Sequence, residues 1–247
     1  MTAKIRLDQL VVATRLADTR TRAQALILAG RVLVDGNRVD KAGALVAQSA
    51  LITLKGAPMP FVSRGGVKLA DALTAFGVKV TGLRCLDVGA STGGFTDCLL
   101  QRGACSVVAV DVGYGQLASK LRADARVAVR ERTNARTLTA EGIGGLVDLT
   151  VVDASFIGLG KLLPAIARCT RDGGQLVALI KPQFEVGRKE ASRGKGVVRD
   201  EHVRERAINA VSEEVSAAGF RILGRRDSTL KGPSGNIEAF VWAEREV

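Results

Sequence analysis

The chain has 247 residues with 36 Lys/Arg against 25 Asp/Glu, a net charge of +11 that favours a polyanionic partner such as a nucleic acid. Its 47% hydrophobic content and 28 glycines exclude a disordered or fibrous chain and suit one large α/β domain plus a small module. One histidine, His202, and four cysteines without a C-x-x-C pair speak against a His-based triad, a metal centre and a disulfide framework.

No secretory pattern precedes the charged residues Lys4, Arg6 and Asp8, and no apolar run nears the roughly 18 residues that span a bilayer. The expected compartment is the cytoplasm, without a membrane or a metal partner. Positive charge is densest at the start: residues 1–60 hold nine Lys/Arg against four Asp/Glu, and the rest hold 27 against 21. In this first stretch Leu7, Leu10, Val11 and Leu16 recur at helical spacing. Asp18-Thr19 then offers a turn and an N-cap, and a second helix is predicted over 22–29, stopped by Gly30. Short strands follow at 32–34 and 51–54, with Asp35-Gly36 as a hairpin-type turn.

This order, with the texts Leu16-Ala17-Asp18-Thr19-Arg20-Thr21-Arg22-Ala23-Gln24-Ala25-Leu26-Ile27 and Gly30-Arg31-Val32-Leu33-Val34-Asp35-Gly36, resembles the S4-like RNA-binding domain. The resemblance covers roughly residues 4–55 and implies that basic residues face structured RNA. Arg6, Arg20, Arg22, Arg31, Arg38 and Lys41 are the matching candidates. Contacts of this kind to phosphates supply affinity and orientation rather than sequence choice. The module is expected over 1–57, with a stiff linker, opened by Pro58-Met59-Pro60, over 58–62.

Residues 63–247 read as a second, catalytic domain. A helix opens at Ser63 and runs to about Phe76. The apolar strand 84–88 empties into Gly89-Ala90-Ser91-Thr92-Gly93-Gly94-Phe95, and the next strand ends on Asp111. Glycines let the backbone approach a nucleoside cofactor, and an acid at the next strand's end can accept from ribose hydroxyls. The loop lacks the second glycine of G-x-G-x-x-G, so a cofactor without a pyrophosphate fits better, and S-adenosylmethionine fits best. The same missing glycine counts against a nicotinamide-dependent oxidoreductase.

Further strands are predicted at 127–131, 147–153 and 175–180, with helices near 93–102, 116–122, 158–170 and 200–218. Such alternation means a mostly parallel Rossmann-like sheet covered on both faces. The tail departs from it: strands at 221–227 and 237–243 are joined only by a Gly/Pro-rich turn, so the last strand should run antiparallel. Ligands of open α/β sheets bind beyond the carboxyl ends of the parallel strands. Asp153 and Lys181 lie at those ends, Glu238 lies near the start of an antiparallel strand at the same edge, and Lys68 on the preceding helix can close the group.

The order Lys68, Asp153, Lys181, Glu238 resembles the Lys-Asp-Lys-Glu tetrad of the FtsJ-type RNA 2′-O-methyltransferases. With the S4-like module, the whole chain resembles the TlyA family of ribosomal RNA cytidine-2′-O-methyltransferases, often labelled haemolysins. The strings Val62-Ser63-Arg64-Gly65-Gly66-Val67-Lys68-Leu69, Asp111-Val112-Gly113-Tyr114-Gly115-Gln116-Leu117, Glu131-Arg132-Thr133-Asn134-Ala135-Arg136, Lys181-Pro182-Gln183-Phe184-Glu185 and Gly232-Pro233-Ser234-Gly235-Asn236 look like that family's. The resemblance implies a class I S-adenosylmethionine-dependent methyltransferase domain. Its catalytic set is Lys68, Asp153, Lys181 and Glu238, with Lys181 at the acceptor hydroxyl and Asp153 orienting it beside the methyl donor.

It further implies cofactor contacts from residues 89–95, Asp111, Thr133, Asn134 and Asp153. Arg64 and the basic loop bearing Arg188, Lys189, Arg193 and Lys195 would meet RNA at the site. The expected partner is a ribosomal subunit, engaged by a monomer. Because the chain stops soon after its last predicted strand, large-subunit RNA is the expected main target. A membrane-active haemolysin and an RNA-binding factor without catalysis are the competing readings. The absence of an apolar spanning segment counts against the first, and the intact tetrad against the second.

Overall fold

The computed structural model describes residues 4–55, 59–186, 196–232 and 234–246. The chain divides into two compact units, Met1–Met59 and Pro60–Val247.

In the first unit β1 (Lys4–Arg6) leads into α1 (Leu7–Ala13), followed by α2 (Arg20–Leu28), β2 (Val32–Val34), β3 (Asn37–Arg38), β4 (Leu45–Ala47) and β5 (Ile52–Leu54). The first helix stops short of Leu16 because Arg15 turns left-handed (φ 59°), which lets the Leu16 N–H donate back to Val11. The second starts two residues before its predicted position, capped by the Thr19 hydroxyl accepting from the Arg22 N–H at 3.2 Å. Strands β3, β2 and β5 form one antiparallel sheet, and β1 with β4 a second. That second pair was not expected, since three-residue strands are too short to show an alternation. Leu7, Leu10, Val11, Ala23, Ile27, Val32 and Ile52 form the core.

In the second unit α3 (Arg64–Phe76) precedes β6 (Arg84–Val88), α4 (Gly94–Gln101), β7 (Ser106–Val110), α5 (Ser119–Arg122), β8 (Val127–Arg130) and β9 (Val147–Val152). Then come α6 (Leu163–Cys169), β10 (Thr170–Ile180), α7 (Pro182–Glu185), α8 (Glu201–Ala217), β11 (Phe220–Asp227) and β12 (Ala239–Arg245). The seven strands lie in the order β11-β12-β10-β9-β6-β7-β8. β8, β7, β6, β9 and β10 are parallel, while β12 runs antiparallel to both β10 and β11, as the helix-free tail predicts.

Two apolar layers cover the sheet, one including Leu163, Ile166, Val211 and Val215, the other including Leu69, Leu73, Phe95 and Leu99. The helix predicted over 158–170 is split into a 3₁₀ turn at Leu159–Lys161 and α6, whose first turn holds Pro164. Proline lacks the N–H that an unbroken helix would need there. Helix α8 begins where the Asp200 carboxylate accepts from the His202 and Val203 N–H groups.

Strand direction places the polar residues. Ile180 pairs with Ala239, so Lys181, leaving β10, and Glu238, entering β12, stand at one edge of the sheet. Val152 pairs with Val88 and Ala178, which brings Asp153 and the Gly89 turn to the same edge.

Candidate active site

The turn after β6 is built for close approach. Gly89 has φ +87°, and a Cβ there would stand 2.8 Å from the Asp153 carbonyl oxygen. Any side chain would therefore push the loop away from the end of β9. The Gly89 and Ala90 N–H groups both donate to the Val110 carbonyl, tying the turn to β7. At its far end Gly94 packs against Ser63 and the Gly66 backbone, so α4 and α3 meet with no room for a Cβ between their first turns.

Two cavities open at this edge. The first, about 500 Å³, is lined by Gly89, Ser91, Asp111, Gly113, Gln116, Thr133, Asn134, Arg136 and Phe156, among others. The second, about 420 Å³, is lined by Arg64, Lys68, Ala90, Thr92, Gly94, Phe95, Lys181, Lys231 and Glu238. Gly89, Ser91, Asp153 and Ser155 line both, so the cavities adjoin at the end of β9.

In the second cavity the four predicted polar residues form two ion pairs. Lys68 Nζ lies 2.5 Å from Glu238 Oε2, with the two residues only 8% and 1% exposed. Lys181 Nζ lies 2.6 Å from Asp153 Oδ1. That contact is off the line of a good hydrogen bond, because the ammonium is aimed at the Ser155 hydroxyl (2.7 Å) and the Asp153 carbonyl oxygen (3.4 Å). Asp153 keeps 25% of its side-chain surface open, yet it is hemmed in closely enough for burial to raise its carboxyl pKa; Lys181 opposes that rise.

The edge is braced by buried polar groups with no motif of their own. Arg204, buried in α8, donates to the Ile237 carbonyl at 3.2 Å and pairs with Asp227, Glu201 and Glu205, pinning the chain next to Glu238. Asn236 is buried and spans the Val198 N–H and the Gly196 carbonyl, both at 2.9 Å. Asp97 accepts from the Val62 N–H at 2.8 Å and from Lys120 at 3.0 Å, anchoring the approach to α3. In sequence each reads as an ordinary polar surface residue; only the contacts reveal its place.

Asp87, beneath the glycine turn, is wholly buried and accepts from the Thr96 hydroxyl at 2.6 Å. Its Oδ1 has no hydrogen-bond partner among the described residues. Burial pushes its pKa up to about 7. A carboxyl raised in the fold binds its proton more tightly folded than unfolded, so it lowers stability as the pH rises from about 4 to about 7. Asp87→Asn removes that dependence. Its stability relative to the unaltered chain should therefore climb across this window and level off above it, as urea melts at pH 5, 6, 7 and 8 would show. A constant difference across the series would contradict the assignment.

The other predicted residues divide. Asp111 is bracketed by backbone, its Oδ2 accepting from the Ser91 N–H (2.8 Å) and its Oδ1 from the Gly113 N–H (2.7 Å), and it faces the first cavity with Thr133 and Asn134. Ala90, Thr92, Gly94 and Phe95 face the second cavity instead. Gly93 lines neither cavity and packs against Leu117 and Leu121. Arg64 lines the second cavity, beside Lys231, which lies in no motif read from the sequence.

In the first unit Arg6 (3.0 Å) and Arg20 (2.9 Å) hold the buried Asp8 carboxylate with Gln24, and these contacts, Arg6's hydrogen bond foremost, keep its pKa well below the usual range. Arg31 donates to the Lys55 carbonyl and the Arg38 guanidinium lies over Gly30, while Arg22 and Lys41 are exposed. Arg188, Lys189, Arg193 and Lys195 lie outside the described residues.

The donor set of the first cavity suits a nucleoside cofactor with a cationic centre. Two carboxylates, Asp111 and Asp153, face it against one guanidinium, Arg136, and a pyrophosphate would be repelled there. Residues 61–245 match the family model of FtsJ-like methyltransferases, and residues 5–52 that of the S4 domain. A relative from Mycobacterium tuberculosis, the 16S/23S rRNA (cytidine-2′-O)-methyltransferase TlyA, is 50% identical over 98% of this chain and 90% of its own. Hemolysin A of Brachyspira hyodysenteriae is 40% identical over 95% of this chain and 97% of its own. A solved structure from Streptococcus thermophilus that also carries a hemolysin name is 41% identical, with a TM-score of 0.78 over 100% of this chain and 90% of that one.

Proposed function

The chain belongs to the FtsJ-like methyltransferase family, and we propose that it methylates the 2′-hydroxyl of cytidine in ribosomal RNA, with S-adenosylmethionine as methyl donor. The observation that carries this reading is the meeting of the two cavities at Gly89 and Asp153, with both ion pairs of the tetrad on the acceptor side. Large-subunit 23S RNA is the first expected target, with small-subunit 16S RNA beside it, both appearing in the name of the M. tuberculosis relative. The place of action is the cytoplasm, where that RNA is found.

The donor supplies a methyl group activated by its sulfonium. The chain supplies position and proton handling. Asp111 would receive the donor's ribose hydroxyls, Thr133 and Asn134 would meet the adenine, and residues of the 89–94 turn would hold the methionine part. On the acceptor side the obstacle is a ribose hydroxyl that is barely acidic. Lys181, held by Asp153, steadies the oxyanion as the ammonium while the O–C bond forms, or takes the hydroxyl proton as the neutral amine. Lys68 and Glu238 neutralise one another and shape the cavity in which the ribose lies.

Arg64 and Lys231 line the second cavity and offer positive charge to phosphates, as do Arg22 and Lys41, exposed on the first unit. The sequence alone proposes Arg188, Lys189, Arg193 and Lys195 for the same task. Phe156, 91% exposed beside the first cavity, offers a face to an unstacked base. No helix among the described residues is long and apolar enough to cross a membrane.

The test is transfer of labelled methyl groups by the purified chain to RNA of each ribosomal subunit, with the modified nucleoside identified after digestion. Incorporation at cytidine 2′-oxygens supports the reading, and none into either RNA overturns it. Asp111→Ala is expected to weaken donor binding at least ~10-fold, the scale of one hydrogen bond to a charged acceptor, while leaving RNA affinity unchanged. Calorimetry with the donor and filter binding with RNA separate the two, and an unaltered donor affinity would remove Asp111 from the cofactor site.

A further inference from the structure

An ammonium has three N–H donors; two of those on Lys181 are aimed at the Ser155 hydroxyl (2.7 Å) and the Asp153 carbonyl (3.4 Å), while the Asp153 carboxylate, 2.6 Å away, lies off the line of a hydrogen bond. An acceptor hydroxyl can meet the third donor while the other two contacts fix where the ammonium stands. Lys181 is the ion-pair partner of the Asp153 carboxylate at 2.6 Å, and separating the two in so enclosed a position is costly. The Asp153 carbonyl is part of the chain leaving β9 and moves only with it. Ser155 is different: it is neutral, exposed and one of four residues lining both cavities.

We propose that Ser155 is a positioning residue for methyl transfer, holding Lys181 Nζ at the junction of the two cavities so that its third donor meets the ribose 2′-hydroxyl. The inference rests on the functional reading above and adds a residue to it. The backbone around Ser155 supports the role. Phe156, immediately after it, stands at φ +65°, a left-handed conformation that is uncommon for an aromatic residue. Its ring lies 5.1 Å from that of Phe184 in α7, the helix that starts directly after Lys181. The ring pair braces the segment bearing Ser155 against the segment bearing Lys181, so the 2.7 Å contact is held from both sides. With Ser155 gone, Lys181 keeps only Asp153 and swings toward it, away from the acceptor.

The measurement is steady-state methylation of ribosomal RNA by the unaltered chain, Ser155→Ala and Ser155→Thr, with kcat and both KM values determined separately. Thermal melts should show that all three fold alike, as expected for an exposed position. Ser155→Ala should lower kcat about tenfold with the KM for RNA and for the methyl donor within twofold of the original, and Ser155→Thr, which keeps the hydroxyl, should recover most of it. An unchanged kcat in Ser155→Ala, a loss confined to the KM for RNA, or no recovery in Ser155→Thr would each overturn the proposal. If the unaltered chain methylated no RNA, the functional reading would fail first and take this proposal with it.

Discussion

Lys181→Met should reduce methyl transfer by between ~10²- and ~10⁴-fold, the range that a positioned proton acceptor contributes, with donor and RNA binding nearly unchanged. Methionine matches the length of the lysine stem but has no donor and no charge. It would leave Asp153 without its ion-pair partner at 2.6 Å, and the Ser155 hydroxyl without its donor at 2.7 Å. Burial already raises the Asp153 carboxyl, and loss of the opposing cation lets it rise further, so Asp153 becomes a neutral acid at lower cost and the fold survives. The defect therefore appears in kcat.

Lys181→Arg sharpens the test, because a guanidinium keeps the positive charge but cannot take a proton at usable pH. Partial activity in Lys181→Arg assigns Lys181 to steadying the oxyanion, and an activity as low as that of Lys181→Met assigns it to proton removal. Retention of more than a tenth of the activity in Lys181→Met would rule Lys181 out of either role. Rapid-quench measurement of a single turnover on saturating RNA reads the chemical step directly.

The second large effect is on stability as well as turnover. Lys68 and Glu238 form a buried pair at 2.5 Å, and removing one partner strands the other charge in the interior. Breaking such a pair costs about 3–5 kcal/mol. For a unit of this size each kcal/mol shifts the melting point by roughly 2–4 °C, so Glu238→Ala should melt ~6–20 °C lower and be inactive. Replacing both partners by apolar residues of similar volume, Lys68→Met with Glu238→Leu, leaves no stranded charge and should return the melting point close to the original. Activity should stay lost, because the second cavity would no longer carry either polar group. A double variant that methylates RNA would show the pair to be structural alone.

Much of this was legible without the tertiary structure, for reasons that differ by residue. The glycine turn at 89–94 stood out because a close backbone approach admits few residue types. Asp153, Lys181 and Glu238 could be placed at one edge because parallel strands end together and the helix-free tail forces β12 to run the other way. The pairing within the tetrad was not legible. Lys68 and Glu238 stand 170 positions apart, and no local pattern tells a buried lysine from one on a wet helix face. Nor was the pairing of Arg6 and Arg20 with Asp8 legible, since no local pattern links the three residues.

The sequence by itself determined the two-part organisation, the order of the strands along the chain, the glycine turn after β6 and the residue types available for chemistry. These follow from periodicity, glycine geometry and strand direction, all of which are local properties. Only the tertiary structure decided which charge neutralises which, that Ser155 holds Lys181, that Arg204 and Asn236 brace the site, and that the two cavities meet at Asp153. Those outcomes depend on desolvation and on distances of a few ångströms between residues far apart in the chain, and a linear text carries neither.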